Sequence, residues 1–346
     1  MLDASQYNVG IPAEDITQYC SGGYHPVHLH DHFKDGRYEI LNKLGFGSFS
    51  TVWLAKDHVT QRHVSIKIVV ANGSEPQNHE VEILRHVQAN DLHSHPGRRS
   101  VTQLLDSFFH EGPNGRHLCV VLELLGPRLS WLAEKSQNYR LKADLARRVS
   151  ARIVEALAYL HSCGVAHGDI HMGNILLRLP PWAGAESLSA SASPQIGKVT
   201  KKDGSPLEKG VPEYLVEPLE MDFGSAFFAS SPPKMIFTSL SLHPPESVFK
   251  RPLTQAVDIW NLGCTLYELA IGRTPFEAGF DNRELIPHKD LRRRLPETLQ
   301  FTRKDLERLG KYLRKMLIVD PQQRATAAEL ASDTSWTLAD ETSERQ

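Results

Sequence analysis

The segment "HGDIHMGNILL", residues 167–177, carries the residues on which the reading of this chain turns. Asp169 and Asn174 stand five positions apart. A carboxylate aimed at a hydroxyl can accept or orient its proton, and an amide oxygen five residues on can ligate Mg²⁺. His171 lies between them. Upstream, Leu141, Leu145, Val149, Ile153, Leu157 and Leu160 recur every three or four residues, and Gly164 follows as a C-terminal stop. This pattern predicts a long amphipathic helix that delivers the chain into the segment. Downstream, "MDFG" at 221–224 sets a second carboxylate, Asp222, ahead of a glycine, as a metal bridging two phosphates requires.

Working further back, "YEILNKLGFGSFSTVWLAKD" at 38–57 reads as two β-runs joined by a glycine turn, and "RHVSIKIVV" at 62–70 as a third strand. Gly45 and Gly47 let main-chain N–H groups approach phosphate oxygens. On the third strand Val64, Ile66 and Ile68 share one face, so Lys67 projects from the other. "PQNHEVEILRHVQAN" at 76–90 predicts a helix starting near Pro76. Within it Glu80 shares a stripe with Leu84 and Val87, whereas Glu82 aligns with His86, so Glu80 is the better partner for Lys67. "LCVVLELLG" at 118–126 is a further buried strand.

The chain has 346 residues, 40% of them hydrophobic, which suits one large domain or two lobes with a substantial core. Its 39 basic and 41 acidic residues leave a formal charge of -2, with no global basic footprint for nucleic acid. Cys20, Cys119, Cys163 and Cys264 form no CxxC pair, as expected of reduced thiols in the cytoplasm or nucleus. No run approaches the roughly 18 apolar residues of a membrane span, and the first residues lack the apolar core of a signal peptide. Residues 1–37 read as a polar extension. Residues 178–216, with "SLSASASP" and "KKDGSPLEKG", read as a flexible surface insertion that buries little. From Thr254 helical patterns dominate, beginning with "AVDIWNLGCTLYELAIG" and ending near Trp336.

"PPE" at 244–246, "DIWNLG" at 258–263 and "DPQQRAT" at 320–326 complete an ordered series. Over residues 38–336 that series resembles the eukaryotic protein kinases. The resemblance implies an α+β, bilobal fold: a β-rich small lobe (38–125), a helical large lobe (126–336) containing the 178–216 insertion, and a tail (337–346). ATP would bind between the lobes. It further implies that Gly45, Gly47 and Val52 cover ATP, that Lys67 meets its phosphates and that Glu80 holds Lys67. Glu123 and Leu125 would offer backbone groups to the adenine. Asp169 would be the catalytic base or substrate orienter, with Asn174 and Asp222 on Mg²⁺. Glu246 would pair with Arg324, and Asp258 would brace the catalytic loop. "GGYHPV" at 22–27 and "FSTVWLA" at 49–55 are similar to the start of the SR-protein kinases, which phosphorylate serines in Arg/Ser-rich proteins.

Several positions depart from the pattern. His171 replaces the lysine whose charge would meet the transferring phosphate. Gly168 replaces the arginine that clamps a phosphorylated activation loop, so no such switch is expected. Ser50 replaces the third glycine. Ser239 stands at the substrate-loop threonine, within reach of Asp169, and Leu242 at a tyrosine of the substrate pocket. The run Arg292 to Arg294 has the wrong sign for an arginine-rich substrate, unless it is simply a solvated helix face. "HGDIHMGN" is also similar to the loop of aminoglycoside and choline phosphotransferases. The expected activity is therefore Mg-ATP-dependent phosphorylation of serine or threonine in a protein, with an Arg/Ser-rich substrate. A pseudokinase scaffold is the alternative, and a small-molecule kinase a third reading. The protein is expected to be a soluble monomer, without direct nucleic-acid or membrane contact. Finally, His28, His30 and His32 in "HLHDH" offer imidazoles at alternating positions; they are either a transition-metal site or part of a polar extension packed on the small lobe.

Overall fold

A computed structural model describes residues 2–74, 79–90, 92, 94–136, 139–179, 194–216, 227–230, 233, 238–276 and 301–337. The chain divides into two compact units. The first comprises residues 1–85, 102–128 and 176–223, and the second residues 86–101, 129–175 and 224–346.

The first unit is built on a six-stranded antiparallel sheet of order β2-β3-β4-β5-β7-β6. Its strands are β2 (His32–Phe33), β3 (Tyr38–Gly47), β4 (Ser50–Asp57), β5 (Arg62–Val69), β6 (Leu104–Gly112) and β7 (Gly115–Glu123). The glycine turn joins β3 to β4, with Gly47 paired to Ser50. Alternation sorts the β5 side chains as the sequence predicts. Val64, Ile66 and Ile68 pack with Ile40, Trp53, Cys119 and Val121. On the opposite face Val69 packs with Val120, Leu122 and Val81, the last on α1 (Glu80–Ala89). Lys67 therefore leaves the sheet on the side that carries α1.

The extension and the insertion depart from expectation. Strand β1 (Tyr7–Val9) pairs with β9 (Ile196–Lys201), which pairs with β10 (Tyr214–Val216), giving a three-stranded sheet. Tyr7, Ile16, Tyr19 and Tyr24 of the extension form one buried cluster with Val199, Val211 and Leu215 of the insertion and Val70 at the end of β5. Residues 194–216 thus bury apolar surface in the small unit, whereas the Ser/Gly/Lys-rich composition suggested an exposed excursion from the large one. The aromatic payload explains the difference: each large side chain removed from water is worth roughly 1.5–3 kcal/mol, and most polar residues between them stay exposed, Glu14 excepted.

The second unit is helical, with α2 (Leu129–Glu134), α3 (Ala143–Ser162), α4 (Pro245–Val248), α5 (Ala256–Ile271), α6 (Arg303–Leu313), α7 (Ala327–Ser332) and α8 (Thr334–Thr337). Helix α3 is the predicted amphipathic helix, and Gly164 follows it at a φ of +75°. Short strands β8 (Val165–Ala166) and β11 (Phe227–Phe228) pair beyond it. Helix α5 is buried along nearly its whole length and forms the centre of the unit. Reciprocal capping boxes, Thr302 with Asp305 and Thr326 with Glu329, start α6 and α7. Glu246 and Arg324 form a fully buried two-pronged ion pair, with both N···O distances 2.6 Å. Among the described residues no helix is long and apolar enough to cross a membrane.

Candidate active site

In the first unit, the Lys67 Nζ donates to both carboxylate oxygens of Glu80, at 2.8 and 2.7 Å. The lysine side chain is 8% exposed and the glutamate 23%, so the pair is shielded enough to fix the ammonium in one place. Val52 and Leu125 share an apolar cluster with Leu44 and Leu54, as a surface receiving a flat apolar ring would require. The Glu123 carboxylate is engaged by Arg178 at 2.7 Å and by the Gln103 N–H at 3.0 Å. Its carbonyl accepts from the Ser65 hydroxyl at 3.4 Å.

The glycine turn is supported from outside, a feature the sequence reading missed. The Tyr24 hydroxyl donates to the Gly47 carbonyl at 2.7 Å. The Phe49 carbonyl accepts from the Val70 N–H at 2.9 Å. Beside them Lys43, on β3, is fully buried against an equally buried Glu14, whose carboxylate also accepts from the Tyr19 hydroxyl. Burial pushes the Lys43 ammonium below its usual range, and Glu14 opposes that shift. "GGYHPV" held a signal in Tyr24, read there only as part of a resemblance.

In the second unit, the loop after α3 is hung from Asp258, a fully buried residue of α5. Its carboxylate accepts from the His167 N–H at 2.7 Å, the Gly168 N–H at 2.7 Å and His161 Nε2 at 2.9 Å. The hydroxyl of Thr265, two turns along α5, is shared between the Asn261 carbonyl of its own helix at 2.8 Å and the Ile170 carbonyl of the loop at 3.1 Å. Gly168 has a φ of +78°. That left-handed conformation costs a residue with a side chain about 1–2 kcal/mol, which gives a local reason for glycine where an arginine was expected. Burial holds the His167 imidazole below its usual pKa, in keeping with its Nδ1 accepting from the Asp169 N–H at 3.3 Å.

The loop brings Asp169, His171 and Asn174 together. Asn174 Nδ2 donates to the Asp169 carbonyl and to its Oδ2, both at 2.9 Å. With its nitrogen so engaged, the amide presents its oxygen as a hard donor of the kind Mg²⁺ takes. The contacts of Asn174 and His171 fall on Oδ2, so Oδ1 is the oxygen that a hydroxyl would meet. His171 Nδ1 accepts from the Gly173 N–H at 3.0 Å, which directs Nε2 toward Asp169 Oδ2 at 3.4 Å. The imidazole therefore lies against the carboxylate that would orient the acceptor. Burial raises the Glu268 carboxyl of α5, and His171 counters that rise.

Of the remaining expectations, Asp222 and the run Arg292 to Arg294 lie outside the described residues. Ser239 is exposed, with its hydroxyl 3.1 Å from that of Ser241. Leu242 is buried against Trp260 and Cys264, where it serves as core.

Comparison with known proteins follows this geometry. The family model described as "Protein kinase domain" matches residues 38–181 and 219–336. It leaves out the two segments that supply β1, β9 and β10. SRSF protein kinase 3 of Homo sapiens is 41% identical over 167 residues, covering 47% of this chain and 29% of that protein. Protein kinase dsk1 of Schizosaccharomyces pombe is 37% identical over 167 residues, or 47% of this chain and 30% of its own length. Serine/threonine-protein kinase SKY1 of Saccharomyces cerevisiae is 37% identical over 171 residues, or 48% and 23%. The chain therefore aligns with less than a third of each of these relatives. A crystallised kinase domain superposes with a TM-score of 0.62 over 89% of this chain and 99% of that one; at 20% identity it speaks to the fold alone.

Proposed function

We propose a function from one premise: this chain belongs to the protein kinase domain family. Its activity is transfer of the γ-phosphate of Mg-ATP to serine or threonine hydroxyls of a protein, and its substrates are Arg/Ser-rich segments. The name SRSF protein kinase 3 supports the substrate class, and the name serine/threonine-protein kinase SKY1 supports the acceptor residues. The observation that carries the reaction type is the Asp169–Asn174 arrangement hung from buried Asp258.

In this reading Gly45, Gly47 and Val52 cover the nucleotide, and Glu123 and Leu125 address its adenine through their backbones. Lys67, fixed by Glu80, neutralises the α- and β-phosphates. Asp169 Oδ1 accepts the hydrogen bond of the attacking hydroxyl, and the oxygen of Asn174 together with Asp222 would hold Mg²⁺. The cation, when bound, neutralises charge on the β- and γ-phosphates. Asp258 and Thr265 position the loop so that Asp169 need not reorganise during the reaction. His171 supplies a cation at the transferring phosphate only in its protonated form. The enzyme works as a monomer in the cytoplasm or nucleus.

His171 also favours a second reading, a nucleotide-binding scaffold without useful turnover. The experiment that separates the two offers Mg-ATP with an Arg/Ser-repeat peptide or a basic protein lacking such repeats. Faster incorporation into the repeat peptide is the expected result. Equal rates would remove the substrate assignment. Binding of Mg-ATP without incorporation into either would favour the scaffold.

A further inference from the structure

The "HLHDH" stretch, residues 28–32, has no role in the reaction proposed above. Folding separates its histidines. His28 turns its ring edge onto Tyr214, with centroids 4.9 Å apart. His30 and His32 instead meet Glu39 of β3, where His58, the residue after β4, joins them. His30 Nδ1 lies 2.8 Å from Glu39 Oε1, and His58 Nε2 lies 3.0 Å from Glu39 Oε2. His32 is the cross-strand partner of Glu39, and its ring is parallel to that of His58 within 10°, at a centroid separation of 6.2 Å. One ligand atom from each of His32, Glu39 and His58 lies within 4.8 Å of the other two.

The cations closest in sequence have other partners. Arg37 is forked onto Asp57 at 2.9 and 3.0 Å. Lys34 is 2.5 Å from Asp106. Lys56, the partner of Glu39 across β3 and β4, donates to the Gln61 carbonyl at 3.3 Å. The Glu39 carboxylate is thus faced by imidazoles from two sides, and imidazole, unlike ammonium or guanidinium, ligates metals.

Two imidazoles and one carboxylate are a donor set that zinc takes, with a fourth position left to water. Hard cations such as Mg²⁺ and Ca²⁺ prefer oxygen throughout. Bond lengths of about 2.0–2.1 Å require the rings to close in, and His32 and His58 are exposed enough to rotate without displacing a core side chain. We infer that His32, Glu39 and His58 bind one divalent transition cation of zinc's class, with His30 orienting the carboxylate from its other oxygen. The cation would tie β2 and β3 to the turn after β4, so it should stabilise the first unit.

The test titrates Zn²⁺ into the untagged full chain in competition with a chromophoric chelator and follows thermal unfolding with and without the metal. One equivalent should bind and raise the unfolding midpoint. Glu39→Gln, His32→Asn and His58→Asn should each weaken binding by more than about tenfold and abolish the midpoint shift. His28→Asn should change neither. Because the three ligands lie at the surface, the metal-free midpoint reports whether each variant still folds, and any one that does suffices. Failure of the wild type to bind a stoichiometric equivalent overturns the inference. So does binding that survives Glu39→Gln and His58→Asn.

Discussion

Lys67 of the first unit and Asp169 of the second carry the charges on which the proposed reaction rests, and each is held differently. Lys67 meets a permanent counter-charge through both oxygens of Glu80, on side chains largely withdrawn from water. Asp169 meets a titratable one, the His171 imidazole at 3.4 Å, where the resemblance led to the expectation of a lysine. The positioning of Asp169 is nonetheless firm, because a buried carboxylate, two backbone N–H groups and a threonine hydroxyl fix the loop around it. The difference teaches that binding of the nucleotide and transfer of its phosphate should respond to different substitutions. Position is well determined in both places, whereas charge is fully provided only around Lys67.

The largest effect should come from Asp169→Ala. Removing the group proposed to orient and deprotonate the acceptor should slow transfer by about 10²- to 10⁴-fold and leave Mg-ATP affinity near that of the wild type. Equal losses in binding and rate would break the distinction. Next is Glu14→Ala, which strands the buried Lys43 ammonium and should destabilise the first unit by about 3–5 kcal/mol in denaturant unfolding. His171→Lys sharpens the comparison from the other side. A permanent cation near the phosphate should raise the single-turnover rate about tenfold, with little change in nucleotide affinity.

Acid should act on the first unit through His25, whose imidazole burial pushes down to about 3 and whose neighbours His110 and His117 are also lowered. The unfolded chain binds these protons from about pH 6.5 downward while the folded chain resists them. Stability present above that pH is therefore lost as pH falls toward 3 for His25. The slope is about 1.4 kcal/mol per pH unit for His25. His25→Leu should flatten the fall in unfolding midpoint between about pH 6.5 and 5. The smallest effect is that of Tyr24→Phe. Losing one hydrogen bond of about 0.5–1.5 kcal/mol to the Gly47 carbonyl should raise the KM for ATP a few-fold with kcat nearly unchanged; a fall in kcat alone would detach the extension from the glycine turn.

Local periodicity made much of this legible in advance. The face of β5 that carries Lys67, the course of α3 and the stop at Gly164 follow from side-chain alternation and helical spacing over a few residues. The extension was illegible for the same reason. Tyr7 lies on a three-residue strand, Ile16 on a single turn, and Tyr19 and Tyr24 outside both, too short a framework to set up a period, and their partners Val199, Val211 and Leu215 are nearly two hundred residues away. Glu14 looked like any surface acid because nothing local announces its burial with Lys43. "HLHDH" showed imidazoles, but Glu39 and His58 reach them only through strand pairing. The loop geometry around Asp169 was visible as spacing, while the brace at Asp258 needed the motif order as well as the residues.

Single-turnover incorporation at saturating Mg-ATP, wild type against Asp169→Ala, decides whether the Asp169 loop transfers phosphate. Incorporation into a protein or peptide serine that the substitution abolishes is the result predicted. Mg-ATP binding without incorporation in the wild type, or incorporation indifferent to Asp169→Ala, would contradict it.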